Sequence, residues 1–381
     1  MPSLRTHSGS RHGRTSWALA LALGMLIAVP ALAAERADAK ARDARAARVL
    51  DERFAELARG ARIPGLAVVV LRDTSVLLAR GYGFADLERR IPMTVETPSN
   101  IASVSKPISA IAALRLVESG RLDLDRPLWP TVDFVDFCAS TRGEPGPFFA
   151  DFACQDSTLT MRHVLSMAAN GQPGTRFLYN PPAYSWMSRA IAEAAGVGFS
   201  DLVDSLVLRA AGMTHSARMF RKRPLPASLA DQLALPYHVD STGTLVRSAP
   251  PPPQGDGAAG GVIASAMDLA RLDRALTTDR LISPASRAQM WTPYRTASGE
   301  ELPYGLGWFI ADRAGRRLVW HTGLWDGCYS ALWLKVPAEG LTLILLANSE
   351  GLQWPTRLDE AAIERSGFAN AFLAAFPAAR R

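Results

Sequence analysis

Strand-like apolar runs near both ends of the chain constrain the fold most. Near the beginning, residues 65–71 read Gly-Leu-Ala-Val-Val-Val-Leu, and residues 76–83 form a second run after a short polar break. Near the end, three further runs at 318–320, 329–336 and 341–347 are joined by short turns that contain glycine. Short runs of β-branched and apolar residues bounded by turn residues are typical of strands. The pattern predicts one antiparallel sheet built from both chain ends.

The middle of the chain has a mostly helical pattern. Helices are also predicted at residues 34–60 and 357–375, where they would flank the sheet. The other predicted helices lie at 108–118, 160–167, 184–195, 199–208 and 266–276. We therefore expect an α+β fold, in which the antiparallel sheet is flanked by terminal helices and carries a mostly helical inserted subdomain. The sheet part would comprise residues 48–100 and 300–381, and the helical part residues 101–299.

The first 33 residues have the pattern of a secretory signal peptide. Arg5, Arg11 and Arg14 precede an uncharged apolar run at 17–29, and Ala31-Leu32-Ala33 follows it. A basic start, a short apolar run and an Ala-x-Ala site predict export and cleavage after Ala33. The alternative is a transmembrane anchor, but the run falls short of the roughly 20 residues that a span needs. We expect residues 34–381 to form the mature domain, which would be periplasmic or secreted.

The composition favours a globular protein without a nucleic-acid partner. Of the 381 residues, 48% are hydrophobic and 20% are charged, which excludes disorder as the main state. The formal net charge is +6, and half of it comes from the three arginines of the leader. Such a weak excess, without a basic stripe interleaved with aromatic residues, does not indicate nucleic-acid binding. No stable membrane span is expected in the mature chain.

Three cysteines would meet an oxidising compartment after export. Cys138 and Cys154 bracket a segment rich in glycine, proline and phenylalanine, and a disulfide between them would contribute about 3 kcal/mol by loop-closure entropy. The alternative, two unpaired cysteines in an insertion, is equally compatible with the sequence. Cys328 would be left over. It could pair with His321 as a nucleophile, although a lone cysteine is more commonly a small buried apolar residue.

Ser103 and Lys106 form the first candidate for catalysis. They stand three positions apart at the start of a predicted helix, which places both side chains on one face. A nucleophilic serine needs a base within hydrogen-bond reach, and a desolvated lysine can act as that base. The chain has only four lysines among 42 basic residues, so a lysine at this position is notable. The alternative is an ordinary helix with a surface lysine.

Several segments resemble one known family. Residues 101–107, Ile-Ala-Ser-Val-Ser-Lys-Pro, resemble the nucleophile helix of the serine β-lactamase and penicillin-binding protein superfamily, specifically its class C β-lactamase, esterase and D-aminopeptidase branch. Further segments resemble that family in the expected order, namely 159–165, 173–179, 260–265, 304–308 and the motif His321-Thr322-Gly323. Several ordered motifs are more specific than any one of them alone. The resemblance runs from residue 48 to residue 350.

The resemblance implies a role for each matching residue. Ser103 would be the nucleophile that forms an acyl-enzyme, Lys106 its base, and Tyr179 a second acid or base. The backbone N–H groups of Ser103 and of Leu324 would form the oxyanion hole. Leu324 directly follows Gly323, the last residue of the motif and a further candidate for the substrate or oxyanion site. His321 would contact the carboxylate of the substrate or tune Tyr179.

Two departures from the family pattern point to its esterases and peptidases rather than to true β-lactamases. Pro181 stands where the family has an asparagine that binds the acyl amide. Asn180 is displaced from that position by one residue and is the candidate for this substrate contact. His321 replaces a lysine, which removes a permanent positive charge near pH 7. We therefore expect a small ester, amide or peptide as the substrate.

Other interpretations stay open or fail on the sequence. A non-catalytic cell-wall or ligand-binding module on the same fold is the main alternative, and Pro181 is its best support. The sequence has no Gly-x-Ser-x-Gly elbow and no His-Glu-x-x-His motif, so neither an α/β-hydrolase nor a zinc hydrolase is indicated. No cofactor and no metal are expected. The oligomeric state is left open. Four tryptophans near the last motif either pack in the core or line a pocket for an apolar acyl group, namely Trp308, Trp320, Trp325 and Trp333.

Overall fold

The computed structural model describes residues 16–144, 146–353 and 361–378, with side chains from residue 37 onward except that of Val132. The helices are α1 (Ser16–Gly60), α2 (Ser105–Glu118), α3 (Val132–Thr141), α4 (Met161–Leu165), α5 (Pro181–Ala195), α6 (Phe199–Val203), α7 (Ala227–Ala230), α8 (Ala266–Thr277), α9 (Pro284–Met290) and α10 (Gly367–Ala375). The strands are β1 (Gly65–Arg72), β2 (Ser75–Asp86), β3 (Ile91–Pro92), β4 (Ser99–Asn100), β5 (Ala217–Arg218), β6 (Tyr237–Val239), β7 (Leu245–Arg247), β8 (Val262–Ala264), β9 (Phe309–Arg313), β10 (Arg316–Trp325), β11 (Tyr329–Val336) and β12 (Leu341–Ala347). In this part of the chain, no helix is both long enough and apolar enough to cross a membrane.

A seven-stranded antiparallel sheet is formed by both ends of the chain, as predicted. Its order is β3-β2-β1-β12-β11-β10-β9. The two chain ends meet where β1 pairs with β12, from Leu66 opposite Ala347 to Arg72 opposite Leu341. Every residue of β11 and β12 is buried, so both faces of the sheet centre are covered. The α+β fold expected from the sequence is confirmed.

One buried asparagine ties the two chain ends together beyond the strand ladder. Asn348 Oδ1 accepts a 2.7 Å hydrogen bond from Gly65 N, 283 positions away in the sequence. Its Nδ2 donates to the carbonyl oxygens of Phe84 and Leu235 at 3.1 and 3.0 Å. The side chain is fully buried, and these bonds satisfy its polar atoms. Asn348 therefore links both terminal segments to the inserted part of the chain.

Helices cover both faces of the sheet. On one face Tyr82 Oη donates to Asp51 Oδ1 of α1 at 2.8 Å, and the rings of Phe54 and Phe368 join α1 to α10 with centroids 6.0 Å apart. On the other face, α8 contacts β11 and β12 through Asp273. The terminal helices therefore flank the sheet, and the helical middle lies against its other side.

Three local details differ from the sequence prediction. The predicted helix at 357–375 begins only at Gly367 in the described residues, because Ser366 Oγ accepts from Ala369 N and caps α10 there. Residues 357–360 of that prediction lie outside the described part of the chain. The stretch 199–208 divides into α6 and a π-helical segment, Asp204–Arg209. Strand β9 was not predicted, because it is short and two of its five residues are charged.

Candidate active site

Ser103 lies in a tight turn that leads into α2. A single 3₁₀ turn, Ala102–Val104, precedes the helix, and Ser103 is half-buried within it. Ala102 adopts a φ of 46°, a left-handed conformation that is uncommon for a residue other than glycine. Asn100 Oδ1 accepts a 2.9 Å hydrogen bond from Ala102 N and holds this turn. Strain of this kind persists only where the surroundings enforce it, and such places are often functional.

Lys106 is fully buried and in contact with Ser103. Its Nζ donates to Ser103 Oγ at 2.8 Å and to the carbonyl oxygen of Ala259 at 3.2 Å. Most residues of α2 are buried, Lys106 among them, so the alternative of a surface lysine is wrong. Burial lowers the pKa of the Lys106 amine well below its ordinary value, because a charged ammonium is poorly solvated there. Among the described residues, no carboxylate is bonded to this amine. Lys106 can therefore be neutral and accept a proton.

Lys335 shows by contrast what a carboxylate does for a buried lysine. Its Nζ forms a buried ion pair with Asp273 and donates to Thr342 Oγ1 at 3.0 Å. Trp333 Nε1 also donates to Asp273 Oδ1, at 2.9 Å. Burial lowers the pKa of Lys335, but the charge of Asp273 acts against that shift. Lys335 is thus compensated within the core, whereas Lys106 is not.

Gly323 allows β10 to lie directly against the nucleophile turn. A Cβ atom at this position would overlap the carbonyl oxygen of Ile101 and lie 3.3 Å from the Cβ of Ala102. Any other residue would push the strand away from the turn. The close approach keeps Leu324, the next residue, beside Ser103, and the two residues line the same cavities. The motif glycine therefore has a packing role at this junction.

The structure does not bring His321 into contact with either cavity beside Ser103. The residue is fully buried, and its Nδ1 is 2.6 Å from the carbonyl oxygen of Thr322. Since a carbonyl only accepts, Nδ1 carries the proton, and Nε2 accepts from Tyr304 Oη at 2.8 Å. Burial, and secondly the charge of Lys106, lower the pKa of His321 well below its ordinary value. His321 is therefore neutral and does not fit the predicted contact with a substrate carboxylate.

Tyr179 lies beside Lys106 in an aromatic cluster. The Lys106 Nζ is 4.9 Å from the centroid of the Tyr179 ring. That ring stacks on Phe309 at 5.7 Å and lies 6.1 Å from the ring of His321. The structure thus brings together the three residues predicted to be catalytic. The part of the prediction in which His321 influences Tyr179 is compatible with this packing.

Asn180 is committed to contacts within the protein. Its Oδ1 accepts from Ala183 N at 3.0 Å and caps α5, and its Nδ2 donates to the carbonyl oxygen of Phe148 at 2.9 Å. The residue is almost fully buried. The structure therefore does not place Asn180 at the substrate contact for which the sequence makes it a candidate. Pro181, the first residue of α5, lies at the nucleophile instead.

Two cavities meet at Ser103. The first, called the Trp186 cavity, has a volume of about 650 Å³, and its lining includes Ser103, Lys106, Phe137, Pro181, Trp186 and Leu324. The second, called the Tyr179 cavity, has a volume of about 680 Å³, and its lining includes Ser103, Phe148, Phe177, Tyr179, Thr322 and Leu324. Pro181 also lines the Tyr179 cavity. A substrate bound at Ser103 can therefore extend in two directions.

The structure shows which cysteines are paired and which tryptophans lie near the site. Cys138 and Cys154 form a disulfide with their Cα atoms 5.7 Å apart, and Cys328 is a buried free cysteine. The Cys328 Sγ is 3.5 Å from the carbonyl oxygen of Ala249, so the thiol is held by backbone. Trp325 lines the Trp186 cavity. The other three tryptophans of the group are core residues, namely Trp308, Trp320 and Trp333.

One group of side chains has the composition of a metal site. Potential ligand atoms of Glu96, His215 and Asp268 lie within 4.8 Å of one another. However, Arg271 donates to both carboxylates, with Nη2 2.9 Å from Glu96 Oε1. Asp268 Oδ2 also accepts from His215 N and from Ser216 Oγ. The guanidinium already compensates the negative charge, so we interpret this group as an ion-pair network.

Several residues that build the site were not predicted. Asn100 holds the turn before the nucleophile, and Tyr304 donates to His321. Tyr304 begins a run that resembles the family, which was the one available signal for it. The carbonyl oxygen of Phe148, which anchors Asn180, could not be identified from the sequence because the contact is purely tertiary.

Comparisons with known proteins agree with the family resemblance found in the sequence. The sequence model of the Beta-lactamase family matches residues 50–367. Penicillin-binding protein 4* of Bacillus subtilis (strain 168) is 27% identical over 312 residues, which cover 74% of this chain and 68% of that protein. Esterase EstB of Burkholderia gladioli is 27% identical over 365 residues, which cover 80% of this chain and 92% of that protein.

A solved structure shows the same fold. The octameric penicillin-binding protein homologue from Pyrococcus abyssi superposes with a TM-score of 0.65 and is 25% identical. The match covers 79% of this chain and 73% of the other. It extends over both the sheet and the helical part, because neither part alone makes up that share of the chain.

Proposed function

Because this chain belongs to the beta-lactamase family, we propose that it is a serine hydrolase that cleaves a small ester or amide through an acyl-enzyme on Ser103. The observation that carries the proposal is the 2.8 Å contact of Ser103 Oγ with a fully buried lysine that has no carboxylate partner among the described residues. A lysine whose pKa is depressed by burial is a suitable base for a serine nucleophile. A buried lysine that serves the fold is paired with a carboxylate, as Lys335 is with Asp273.

The proposed reaction uses the three residues in turn. Ser103 Oγ attacks the carbonyl carbon, and its proton passes to the neutral amine of Lys106. The bond to the leaving group then breaks as Tyr179 protonates the departing oxygen or nitrogen, and the Lys106 ammonium returns a proton to Tyr179. Water attacks the acyl-enzyme in the second half, which releases the acid and restores the Ser103 hydroxyl.

The oxyanion would be bound by backbone N–H groups at the junction of the turn and the strand. The proposed donors belong to Ser103 and Leu324, which line both cavities. Gly323 supports this arrangement, because its lack of a Cβ lets the strand approach the turn. Loss of one such donor typically lowers kcat by about 10² to 10³-fold.

The lining of the site favours ester hydrolysis over β-lactam hydrolysis. Pro181 offers no side-chain donor to an acyl amide, and Asn180 is engaged elsewhere. His321 is buried and neutral, so it does not supply a positive charge for a substrate carboxylate. The Trp186 cavity, whose lining includes three aromatic residues, suits an apolar acyl group. The name of one relative, esterase EstB, agrees with this preference.

Covalent labelling tests whether the site is catalytic. A fluorophosphonate probe should label the wild-type protein, with fluoride leaving as the serine oxygen bonds to phosphorus, and it should not label Ser103→Ala. Ser105→Ala is a matched control, because Ser105 is buried two positions away and accepts from Val262 N. Equal labelling of the wild type and Ser103→Ala would favour a non-catalytic module on the same fold.

Steady-state kinetics test the substrate class. We expect kcat/KM for p-nitrophenyl butyrate to exceed that for a chromogenic cephalosporin by at least about 100-fold, since each lost hydrogen bond to a charged or amide group costs roughly 1 to 3 kcal/mol. The Ser103→Ala variant sets the background rate for both substrates. Efficient cephalosporin hydrolysis would contradict the proposed roles of Pro181 and His321.

We also propose that the protein is exported to the periplasm or secreted. The support is the basic and apolar pattern that ends at Ala33. The disulfide between Cys138 and Cys154 agrees with this, because such bonds persist in oxidising compartments. The proposed cleavage point lies within α1.

A further inference from the structure

A disulfide-closed loop forms part of the wall beside the nucleophile. Cys138 lies in the last turns of α3, and its disulfide with Cys154 closes the loop that follows the helix. Phe149 and Phe152 pack their rings against Phe137 of α3, at 6.1 and 5.9 Å. Phe137 in turn stacks on Trp186. The loop is therefore fastened to α3 by a covalent bond and by an aromatic cluster.

Two buried asparagines, Asn170 and Asn180, hold the backbone of the loop at Phe148. The carbonyl oxygen of Phe148 accepts from Asn170 Nδ2 and from Asn180 Nδ2, both at 2.9 Å. Asn180 Nδ2 also donates to Asn170 Oδ1 at 3.0 Å, and Asn170 Nδ2 to Asp151 Oδ1 at 3.0 Å. Both asparagines are at least 98% buried. A buried network of this kind fixes the position of the backbone that it binds.

The side chain of Phe148 differs from its two aromatic neighbours in the loop. In the described part of the chain, Phe149 and Phe152 pack on the core, whereas Phe148 does not. Phe148 instead lines the Tyr179 cavity, together with Ser103 and Leu324. The asparagine pair thus holds the backbone of a residue that lines a cavity reaching the nucleophile.

We propose that Phe148 selects the leaving group of the substrate and that Asn180 is the residue that positions it. The inference rests on the proposed function, in which Tyr179 protonates the leaving atom. Because Tyr179 lines only one of the two cavities described at Ser103, the departing group lies in the Tyr179 cavity and the acyl group in the Trp186 cavity. An aromatic ring in the wall of the former favours an apolar or aromatic alcohol.

The position of Asn180 explains the unusual motif that follows Tyr179. The asparagine at this point does not contact a substrate but fastens the loop that supplies a substrate contact. It also caps α5, so it couples the helix that carries Pro181 to the Phe148 wall. In this proposal, the specificity for the leaving group depends on the loop between Cys138 and Cys154, which lies outside the family motifs in the sequence.

Two butyrate esters with alcohols of different size test the proposal. Benzyl butyrate and ethyl butyrate form the same butyryl-enzyme, so a change in the ratio of their kcat/KM values reports only the leaving group. Phe148→Ala should lower the benzyl-to-ethyl ratio about 5- to 10-fold, which is the loss expected for one aromatic contact. Phe149→Ala is the matched control: its ring packs on Phe137, and the ratio should stay as in the wild type.

A second variant tests the positioning role. Asn180→Ser retains a side-chain oxygen that can cap α5, but it lacks the amide nitrogen that donates to the Phe148 carbonyl oxygen. It should lower the ratio in the same direction, and adding Phe148→Ala should lower it little further, because the two changes affect one contact. If Asn180 had only a structural role, the variant would change kcat/KM for both esters by the same factor.

The outcomes separate this inference from the proposed function. If the wild type cleaves both esters and Phe148→Ala leaves their ratio unchanged, the inference is overturned and the serine mechanism stands. An unchanged ratio in Asn180→Ser overturns the positioning role. If the wild type cleaves neither ester and is labelled no better than Ser103→Ala, both proposals fail.

Discussion

The same substitution is expected to have opposite effects on the stability of the protein at its two buried lysines. Methionine replaces the amine of either Lys106 or Lys335 by an apolar group on a similar chain. Lys106 has no carboxylate bonded to it among the described residues, whereas Lys335 is paired with Asp273. We expect Lys106→Met to raise the free energy of unfolding at pH 7 and Lys335→Met to lower it.

The size of each effect can be bounded from the structure. An unfolded chain holds the Lys106 amine protonated up to its ordinary pKa of 10.5, while the folded site disfavours the charge. At about 1.4 kcal/mol per pH unit, the folded state loses at most about 5 kcal/mol at pH 7. Methionine removes this loss but also two hydrogen bonds of about 1 kcal/mol each, so a net gain of at most about 3 kcal/mol is expected. Lys335→Met leaves Asp273 buried without its cation, at a cost of about 3 to 5 kcal/mol.

The dependence on pH identifies the cause. Because the pKa of Lys106 is lowered on folding, the unfolded state binds more protons between the folded value and 10.5. The wild type therefore gains stability as the pH rises through that window. The advantage of Lys106→Met should shrink between pH 7 and pH 9.

Urea unfolding followed by tryptophan fluorescence measures both variants and the wild type at the two pH values. Hydrolytic activity should be lost in Lys106→Met. The reasoning would be refuted if Lys106→Met were less stable than the wild type by an amount that does not change with pH. It would also be refuted if both variants changed the free energy of unfolding in the same direction.

Two further predictions concern the nucleophile turn and the cysteines. Gly323→Ala should lower kcat/KM about 100-fold or more, because its Cβ would overlap the Ile101 carbonyl oxygen and displace an oxyanion donor. Gly60→Ala is the control: no atom lies near its Cβ, so it should keep wild-type kinetics. Equal kinetics in both variants would contradict the packing argument. Protein recovered from the periplasm or medium should begin at residue 34 by mass spectrometry. When the denatured protein is treated with a thiol-alkylating reagent, it should take up one alkyl group without reductant and three with reductant, since Cys138 and Cys154 are paired. An uncleaved chain, or three alkyl groups without reductant, would contradict export with disulfide formation.

The sheet was predictable because its strands are continuous apolar runs that end at turns. Strands β11 and β12 have the bounds that the sequence predicts, 329–336 and 341–347. Both are buried on both faces, so their patterns contain no polar interruption. Strand β9 has an exposed charged end, which makes its pattern indistinguishable from that of a loop.

The site was only partly predictable because its residues depend on contacts distant in sequence. The spacing of Ser103 and Lys106 can be recognised in one helix turn. The neutral state of His321 depends on its burial, its ring is held by Tyr304, and the engagement of Asn180 depends on the Phe148 carbonyl. A motif comparison identifies such positions but not the direction in which their side chains point.

The pairing of the two chain ends has a consequence for when activity can arise during synthesis. The nucleophile turn follows the first strands, whereas Gly323 and Leu324 lie in β10, and the sheet is closed by β12. A nascent chain that ends before β10 has Ser103 and Lys106 but lacks one proposed oxyanion donor. Contacts this distant in sequence form late in folding. On the proposed mechanism, hydrolytic capacity therefore arises only after most of the chain has been synthesised.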